Sequence, residues 1–132
     1  TRSGRFIMPR EWGIEPLFTV LARERNEGLG DVHAIMARLK GSLPGKSLKV
    51  ELAYGHYYLP EVDNTNLNKY GIPSYHHFKT LLQYEFNSVF NGLDIALLYV
   101  HKGPLSTRTY PPKHILNKVG LHTYTAILNF HF

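Results

Sequence analysis

The sequence contains no cysteine and no long uninterrupted run of apolar residues. The absence of cysteine excludes disulfide scaffolds, cysteine-ligated zinc, iron–sulfur clusters and thiol nucleophiles. The longest apolar run, Ile95–Val100, is far shorter than the roughly 20 residues that a membrane-spanning helix needs. A transmembrane β-barrel is not excluded by these absences, because half of its strand residues face water and its average hydropathy is low.

Neither a signal-peptide pattern nor an internal linker is recognisable in the given sequence. Thr1–Arg10 does not have the charged-then-apolar layout of a signal peptide, and the first residue is not Met. We therefore expect a processed chain or a piece of a longer polypeptide. With 132 residues and 43% hydrophobic content, the chain is too apolar to be disordered and long enough to fold. We expect residues 1–132 to form a single unit.

Motifs for nucleic-acid binding, catalysis and metal binding are missing as well. The formal net charge is +5, but the basic residues are scattered and no phosphate loop or helix-turn-helix pattern is present, so we expect no nucleic-acid partner. No serine stands in a nucleophile-elbow pattern, and we expect no enzymatic activity. The histidines have no short ligand spacing, and Glu61–Asn68 lacks the EF-hand order. We expect no metal or cofactor, and a solvated outer loop at Glu61–Asn68.

What the sequence does contain is repeated alternation of apolar and polar residues, which predicts an all-β fold. In the third and fourth predicted strands, for example, the apolar series Leu48, Val50, Leu52 and Tyr54 and the apolar series from Phe78 to Phe86 each occupy every second position. We predict an antiparallel up-and-down meander of about six strands, part of a larger transmembrane β-barrel. The predicted strands are Leu17–Arg25, Val32–Lys40, Ser47–Tyr58, Tyr75–Phe86, Asp94–His101 and Val119–Phe132.

The connections between these strands alternate between short and long, as they do in outer-membrane barrels. Gly41–Lys46 and Asn87–Leu93 are short, and the second contains Asn91-Gly92, whose residues both tolerate positive φ. Leu59–Ser74 and Lys102–Lys118 are longer and rich in proline. Asn26–Gly30 departs from this pattern, because a long outer loop is expected there and the connection is short.

The aromatic residues and the end of the chain favour the membrane interpretation over a soluble sandwich. Aromatic side chains on the apolar faces lie near strand ends, as in an interfacial girdle. The last residue is Phe132, preceded at alternate positions by Phe130, Leu128, Ala126 and Tyr124. This pattern resembles the C-terminal strand of Gram-negative outer-membrane barrels, which the barrel-assembly machinery reads.

Two further segments extend the resemblance. Pro9-Arg10-Glu11-Trp12-Gly13 and the segment from Arg23 to Gly28 are similar to the C-terminal region of the OprD-type family of outer-membrane porins. The resemblance implies a monomeric large barrel in the bacterial outer membrane, with a narrow, basic-lined pore for small amino acids or carboxylates. Six strands cannot close a porin of about 16 to 18 strands. The remaining strands must come from the same polypeptide or from partner chains.

The two faces of the predicted strands supply the candidate site residues. Because a basic residue on the lipid side costs about 2–4 kcal/mol near the midplane, charged strand residues should face the lumen. They could pass a carboxylate along the pore as a ladder, or simply pair across strands, as Lys49 could with Glu85; both interpretations stay open. The predicted lumen residues are Arg23, Arg25, Arg38, Lys49, Glu51, Lys79 and Glu85. The predicted membrane-interface and assembly residues are Trp12, Tyr54, Tyr84, Tyr124, Phe130 and Phe132.

The expected function is therefore passive diffusion of small hydrophilic solutes, with a preference for those that bear a carboxylate. The expected partners are outer-membrane lipid, the solutes, the remaining barrel strands, and the assembly machinery through Phe132. Two alternatives are a soluble periplasmic β-sandwich binding module and a structural barrel component that conducts nothing.

A first prediction concerns Arg23 and Arg25, which share one face of their predicted strand two residues apart. Replacing both with Gln should lower the anion preference of the channel, because two guanidinium groups that bind carboxylates are lost. Reversal potentials in planar bilayers measure this preference. An unchanged reversal potential would show that these arginines lie off the solute path.

Overall fold

The computed structural model describes residues 3–7, 26–43, 47–87, 90–114 and 119–131. These residues form an all-β fold of five strands and one short 3-10 turn, Pro112–His114. No helix in this part of the chain is long and apolar enough to span a membrane. The strands are β1 (His33–Ser42), β2 (Leu48–Tyr58), β3 (Tyr75–Glu85), β4 (Leu93–Pro104) and β5 (Leu121–Phe130).

The strands pair in chain order as an antiparallel meander, which confirms the predicted topology for the described residues. The sheet is open: within the described ranges, β1 pairs only with β2 and β5 only with β4. The predicted strand Leu17–Arg25 lies outside the described residues. The five strands observed are the other five that the alternation predicts.

Two predicted connections are shorter than expected, because strand pairing continues past the apolar runs. Gly41 and Ser42 belong to β1, where they pair with Val50 and Lys49. At the other end of the sheet, Lys102–Pro104 belongs to β4, whose ladder with β3 runs on to Tyr75. The alternation of apolar and polar residues predicts where each strand lies in the sequence. Backbone hydrogen bonds decide at which residue the strand ends.

The register separates the strand residues into two chemically different faces. All Lys, Arg, Asp and Glu residues of the five strands lie on one face, which we call the charged face. The opposite face, which we call the apolar face, carries Leu, Ile, aromatic and His side chains instead. The residues that define the charged face are Arg38, Lys40, Lys49, Glu51, Lys79, Glu85, Asp94 and Lys102.

The buried core lies on the charged face, at the end of the sheet where the long connections leave it. Ala53, Tyr57 and Tyr75 come from the sheet, and Ile72 and Val119 come from the connections that pack over it. The rings of Tyr57 and Tyr75 stack with their centroids 4.8 Å apart. The connections are therefore part of the folded unit rather than loose appendages.

The tight turn predicted at Asn91-Gly92 is present between β3 and β4. The Leu93 amide donates to the Phe90 carbonyl at 2.9 Å. Gly92 has a φ of +89°, whereas Asn91 does not have a positive φ. The turn therefore needs the left-handed conformation at one of the two residues, at the position where a type II turn requires it. The His131 carbonyl lies directly over the Gly92 Cα, where a Cβ would stand.

We therefore predict that Gly92→Ala lowers the free energy of unfolding by about 1–2 kcal/mol, the cost of placing an L-residue in the left-handed region. The clash with the His131 carbonyl adds to this cost. Gly41→Ala is the matched control, because a Cβ there would meet no atom within 4 Å. Denaturant titration measures both variants, and equal destabilisation would contradict the assignment of strain to Gly92.

Candidate functional site

The charged face is organised around Glu51, which contacts three basic side chains from β1 and β3. Lys79 Nζ lies 2.8 Å from Glu51 Oε1. Arg38 Nε lies 3.4 Å from Oε1, and Lys40 Nζ lies 3.4 Å from Oε2. One carboxylate is thus shared by three cations, and the group keeps an excess of positive charge. We call Arg38, Lys40, Glu51 and Lys79 the cation cluster.

The four members of the cation cluster differ in exposure. The Glu51 and Lys79 side chains are 14% and 10% exposed, whereas Lys40 is 63% exposed. Arg38 is intermediate, at 37%. A buried cation needs a close partner, which Lys79 has in Glu51. The accessible positive charge of the cluster is therefore that of Arg38 and Lys40.

Other charges on this face are arranged as local pairs. Lys49 and Glu85 form an ion pair between β2 and β3. Asp94 lies 3.6 Å from His131 Nε2, and the Lys102 ammonium lies 5.4 Å from the centre of the Tyr75 ring. The charged face carries five cations and three carboxylates. Its net charge is therefore +2 when the histidines are counted as neutral.

The predicted charged residues that the structure describes lie together on this one face. Arg38, Glu51 and Lys79 meet in the cation cluster. Lys49 and Glu85 form a pair across neighbouring strands, as expected if the charged residues pair with one another. Arg23 and Arg25 lie outside the described residues. Sequence reasoning missed Lys40, although it shares the face of Arg38 two positions away. It also missed Asp94, and it missed Lys102 because that residue was assigned to a loop.

The long connection between β2 and β3 packs onto the charged face at Val62 and Asn68, whereas Glu61 and residues 63–66 are exposed, as expected for a solvated loop. Val62 is 6% exposed and Asn68 is fully buried. The Asn68 side-chain amide donates to the Pro60 and Ile72 carbonyls, at 3.0 and 2.8 Å, and its oxygen accepts from the Ile72 amide at 3.0 Å. One buried side chain thus ties both ends of the loop, which brings Ile72 into the core.

A second segment of the chain pairs with this loop. The Gly30 amide donates to the Leu67 carbonyl at 2.7 Å, and the Lys69 amide donates to the Gly28 carbonyl at 3.0 Å. Leu29 and Asn68 form an isolated antiparallel bridge. The two segments together cover the long-connection end of the charged face, while the cation cluster lies nearer the middle of the sheet.

The apolar face carries the described members of the predicted interface set. Tyr54, Tyr84, Tyr124 and Phe130 are 46%, 41%, 78% and 55% exposed. Tyr84 and Phe130 lie near the ends of β3 and β5, whereas Tyr54 lies near the middle of β2. Trp12 and Phe132 lie outside the described residues. The aliphatic side chains between them are exposed too, including Ile35, Leu39, Leu97 and Leu128.

No group of three or more His, Cys, Asp or Glu side chains among the described residues is arranged to hold a metal ion. Comparisons with protein-family models, with curated proteins and with solved structures found no match.

We predict that Asn68→Ala frees the loop from the sheet, because it removes three hydrogen bonds and leaves buried backbone groups unpaired. The free energy of local opening should fall by about 2–4 kcal/mol. Hydrogen exchange at the Ile72 amide reports this directly, since that amide donates to Asn68.

Asn66→Ala is the matched control in the same loop, because Asn66 is exposed. Its effect should stay within about 0.5 kcal/mol. Equal protection of the Ile72 amide in both variants would show that packing, rather than the Asn68 side chain, holds the loop.

Proposed function

We propose that the chain forms part of the wall of a bacterial outer-membrane channel for passive diffusion of small hydrophilic solutes, with a preference for those that bear a carboxylate. In this proposal the apolar face contacts lipid and the charged face lines the lumen. The chain acts without catalysis. The observation that carries the proposal is the complete segregation of the eight strand Lys, Arg, Asp and Glu residues onto one face.

The exposure of the apolar face supports lipid contact. Ile35, Leu39 and Leu128 are 71%, 69% and 67% exposed. Soluble monomers rarely leave a contiguous apolar patch of more than a few hundred Å² in water. A soluble sandwich would bury such a face against a second sheet, whereas hydrocarbon covers it without any further protein.

The strand lengths also support a spanning role. The five strands have between 10 and 12 residues. A tilted strand needs about 9–11 residues to cross a bilayer, and strands of soluble sheets typically have about five or six.

Within the described residues the outer edges of β1 and β5 have no strand partner, so the proposed barrel needs further strands. Unpaired backbone groups of β1 and β5 would each cost several kcal/mol in hydrocarbon. A larger barrel pairs both edges, which agrees with the resemblance to OprD-type porins carried by the Pro9–Gly13 and Arg23–Gly28 segments. The missing strands come from the same polypeptide or from partner chains, and Phe132 would be read by the assembly machinery.

The cation cluster supplies the solute preference. Arg38 and Lys40 keep accessible positive charge, and the guanidinium fork suits a carboxylate. Lys79 is held by Glu51 and acts as a positioning residue. The loop between β2 and β3 covers one end of the same face and would narrow the path there. The position of this loop is also compatible with a structural barrel component that conducts no solute. A conductance measurement must therefore decide between a channel and such a component.

Two opposite substitutions test the proposal in planar bilayers. A unit charge about 10 Å from a passing anion is worth about 0.4 kcal/mol in water, or about twofold in permeability. Arg38→Gln with Lys40→Gln should therefore lower the anion-to-cation permeability ratio by about twofold or more. Glu51→Gln should raise the ratio, because it removes a negative charge and releases its partners.

Lys113→Gln is the control, because it removes one exposed cation outside the cluster; its ratio should stay near that of the wild type. Absence of conductance in a protein that inserts into vesicles would favour the structural component. Extraction without detergent would favour the soluble module. A channel whose ratio responds to none of these variants would contradict the placement of the cluster in the lumen.

A further inference from the structure

Four histidines on consecutive strands form a row across the apolar face. His56 lies on β2, His76 on β3, His101 on β4 and His122 on β5, and all four occupy the half of the sheet nearer the long connections. The register places His56 opposite His76 and His101 opposite His122. We call these four residues the histidine belt.

The belt is continuous through ring contacts. The centroids of His101 and His122 are 4.3 Å apart, and those of His76 and His101 are 5.4 Å apart. Tyr54 joins the row at its other end, with its ring 5.2 Å from His56 and 6.2 Å from His76. Adjacent imidazoles therefore present a connected polar strip within an otherwise apolar surface.

Tyrosine hydroxyls hold two of the imidazoles. The Tyr54 hydroxyl lies 2.9 Å from His56 Nε2, and the Tyr58 hydroxyl lies 3.3 Å from His56 Nδ1. The Tyr99 hydroxyl lies 2.9 Å from His122 Nδ1. These contacts orient the rings, since a hydroxyl can donate to a neutral imidazole or accept from a protonated one.

Gly103 makes room for the belt. It lies opposite His76 in the β3–β4 ladder. A Cβ at this position would overlap the His76 ring, which occupies that space. An aromatic ring that lies over a glycine of the neighbouring strand fills the space that the missing side chain leaves. His76 is therefore seated against the sheet rather than extended freely from it.

The charged residues of the strands lie on the face of the sheet opposite the histidine belt. Its titratable neighbours on the same face are Tyr54, Tyr58, Tyr99 and Tyr124, and His33 at the start of β1 lies 3.3 Å from Asp31. Lys79, Lys102 and the strand carboxylates are on the opposite face. None of the four belt imidazoles has a carboxylate partner in the described part of the chain. Among the described residues, no carboxylate is therefore placed to act as a counter-ion for the protonated belt.

The other end of the apolar face has a different composition. Tyr84, Phe86, Phe90 and Phe130 lie there, with edge-to-face contacts between neighbouring rings, and the strands carry no histidine at that end of this face. Both ends are suited to a membrane interface through their aromatic rings. Among the described strand residues of this face, the imidazoles lie only at the end with the long connections.

We propose that the histidine belt binds the anionic phosphates of lipid headgroups in the leaflet at the long-connection end, and that this binding strengthens as the imidazoles protonate. The inference rests on the proposed membrane function. Neutral imidazole tolerates the interface, a nearby anion favours the protonated form, and the described residues place no competing carboxylate next to the belt. The belt thereby gives the apolar face a lipid preference that depends on pH.

The test compares the full protein in phosphatidylcholine vesicles with the same vesicles containing phosphatidylglycerol, at about pH 5.5 and about pH 7.5, two values that lie on either side of the ordinary pKa of a free imidazole. Phosphatidylglycerol should raise the melting temperature by roughly 3 °C more at the lower pH. The triple variant His76→Gln, His101→Gln, His122→Gln should abolish the difference. His131→Gln, at the opposite end and outside the apolar face, should retain it.

A gain-of-charge variant keeps the test decisive if the triple variant folds poorly. His122→Lys provides a permanent cation and should give the phosphatidylglycerol effect at about pH 7.5 as well. Inorganic phosphate added to phosphatidylcholine vesicles should not reproduce the shift. If it does, the belt is a small-anion site and the headgroup proposal is wrong.

The outcomes separate the two proposals. A protein that inserts and conducts but shows equal melting shifts at both pH values overturns the belt proposal and leaves the channel standing. A protein that enters none of the vesicles overturns both. An effect that persists in the triple variant would assign the lipid preference to other residues.

Discussion

The two-residue period of the extended chain is the constraint on which this structure depends. Successive side chains in a strand point to opposite sides of the sheet. A sheet can therefore present two surfaces of different chemistry only if the residue types alternate along each strand and the pairing register aligns this alternation between neighbouring strands. Both conditions hold across β1 to β5. All Lys, Arg, Asp and Glu residues of the strands fall on one side, and the other side carries apolar, aromatic and histidine side chains without any of them. The cation cluster, the buried core and the histidine belt all follow from this separation.

The core lies on an unusual side of the sheet for a protein in water. Its members, such as Tyr57 and Ile72, are packed on the face that also bears the charges, while the more apolar face is exposed. This arrangement is consistent if the solvent differs between the faces, as we propose. Aliphatic side chains then need no protein cover, and the polar face is the one on which loops can pack and be solvated.

The sequence predicted the strands well because alternation is a local signal. Leu48 to Tyr54 and Phe78 to Tyr84 reveal their faces from spacing alone, and so Lys49, Glu51, Lys79 and Glu85 could be placed together in advance. What could not be predicted depends on register or tertiary packing. Glu51 meets Arg38 and Lys40 because β1 pairs with β2 in one particular alignment. Four histidines that look scattered in the sequence become neighbours for the same reason.

The loop between β2 and β3 has a buried anchor that could not be predicted, for a related reason. Its polar composition indicates solvent exposure, and nothing in that composition shows that Asn68 hydrogen-bonds to Pro60 and Ile72. A single amide can substitute for a hydrophobic anchor when its partners are backbone groups of the same loop. These hydrogen bonds can be identified only in the folded structure.

The Asn68 contacts have a consequence for the proposed channel. Hydrogen bonds from a neutral amide to backbone groups carry no net charge, so added salt leaves the loop in place. The exposed charges of Arg38 and Lys40 are screened over about 8–10 Å at moderate salt. Selection by size and selection by charge would then reside in physically separate parts of one surface, and ionic strength would weaken the second while leaving the first intact.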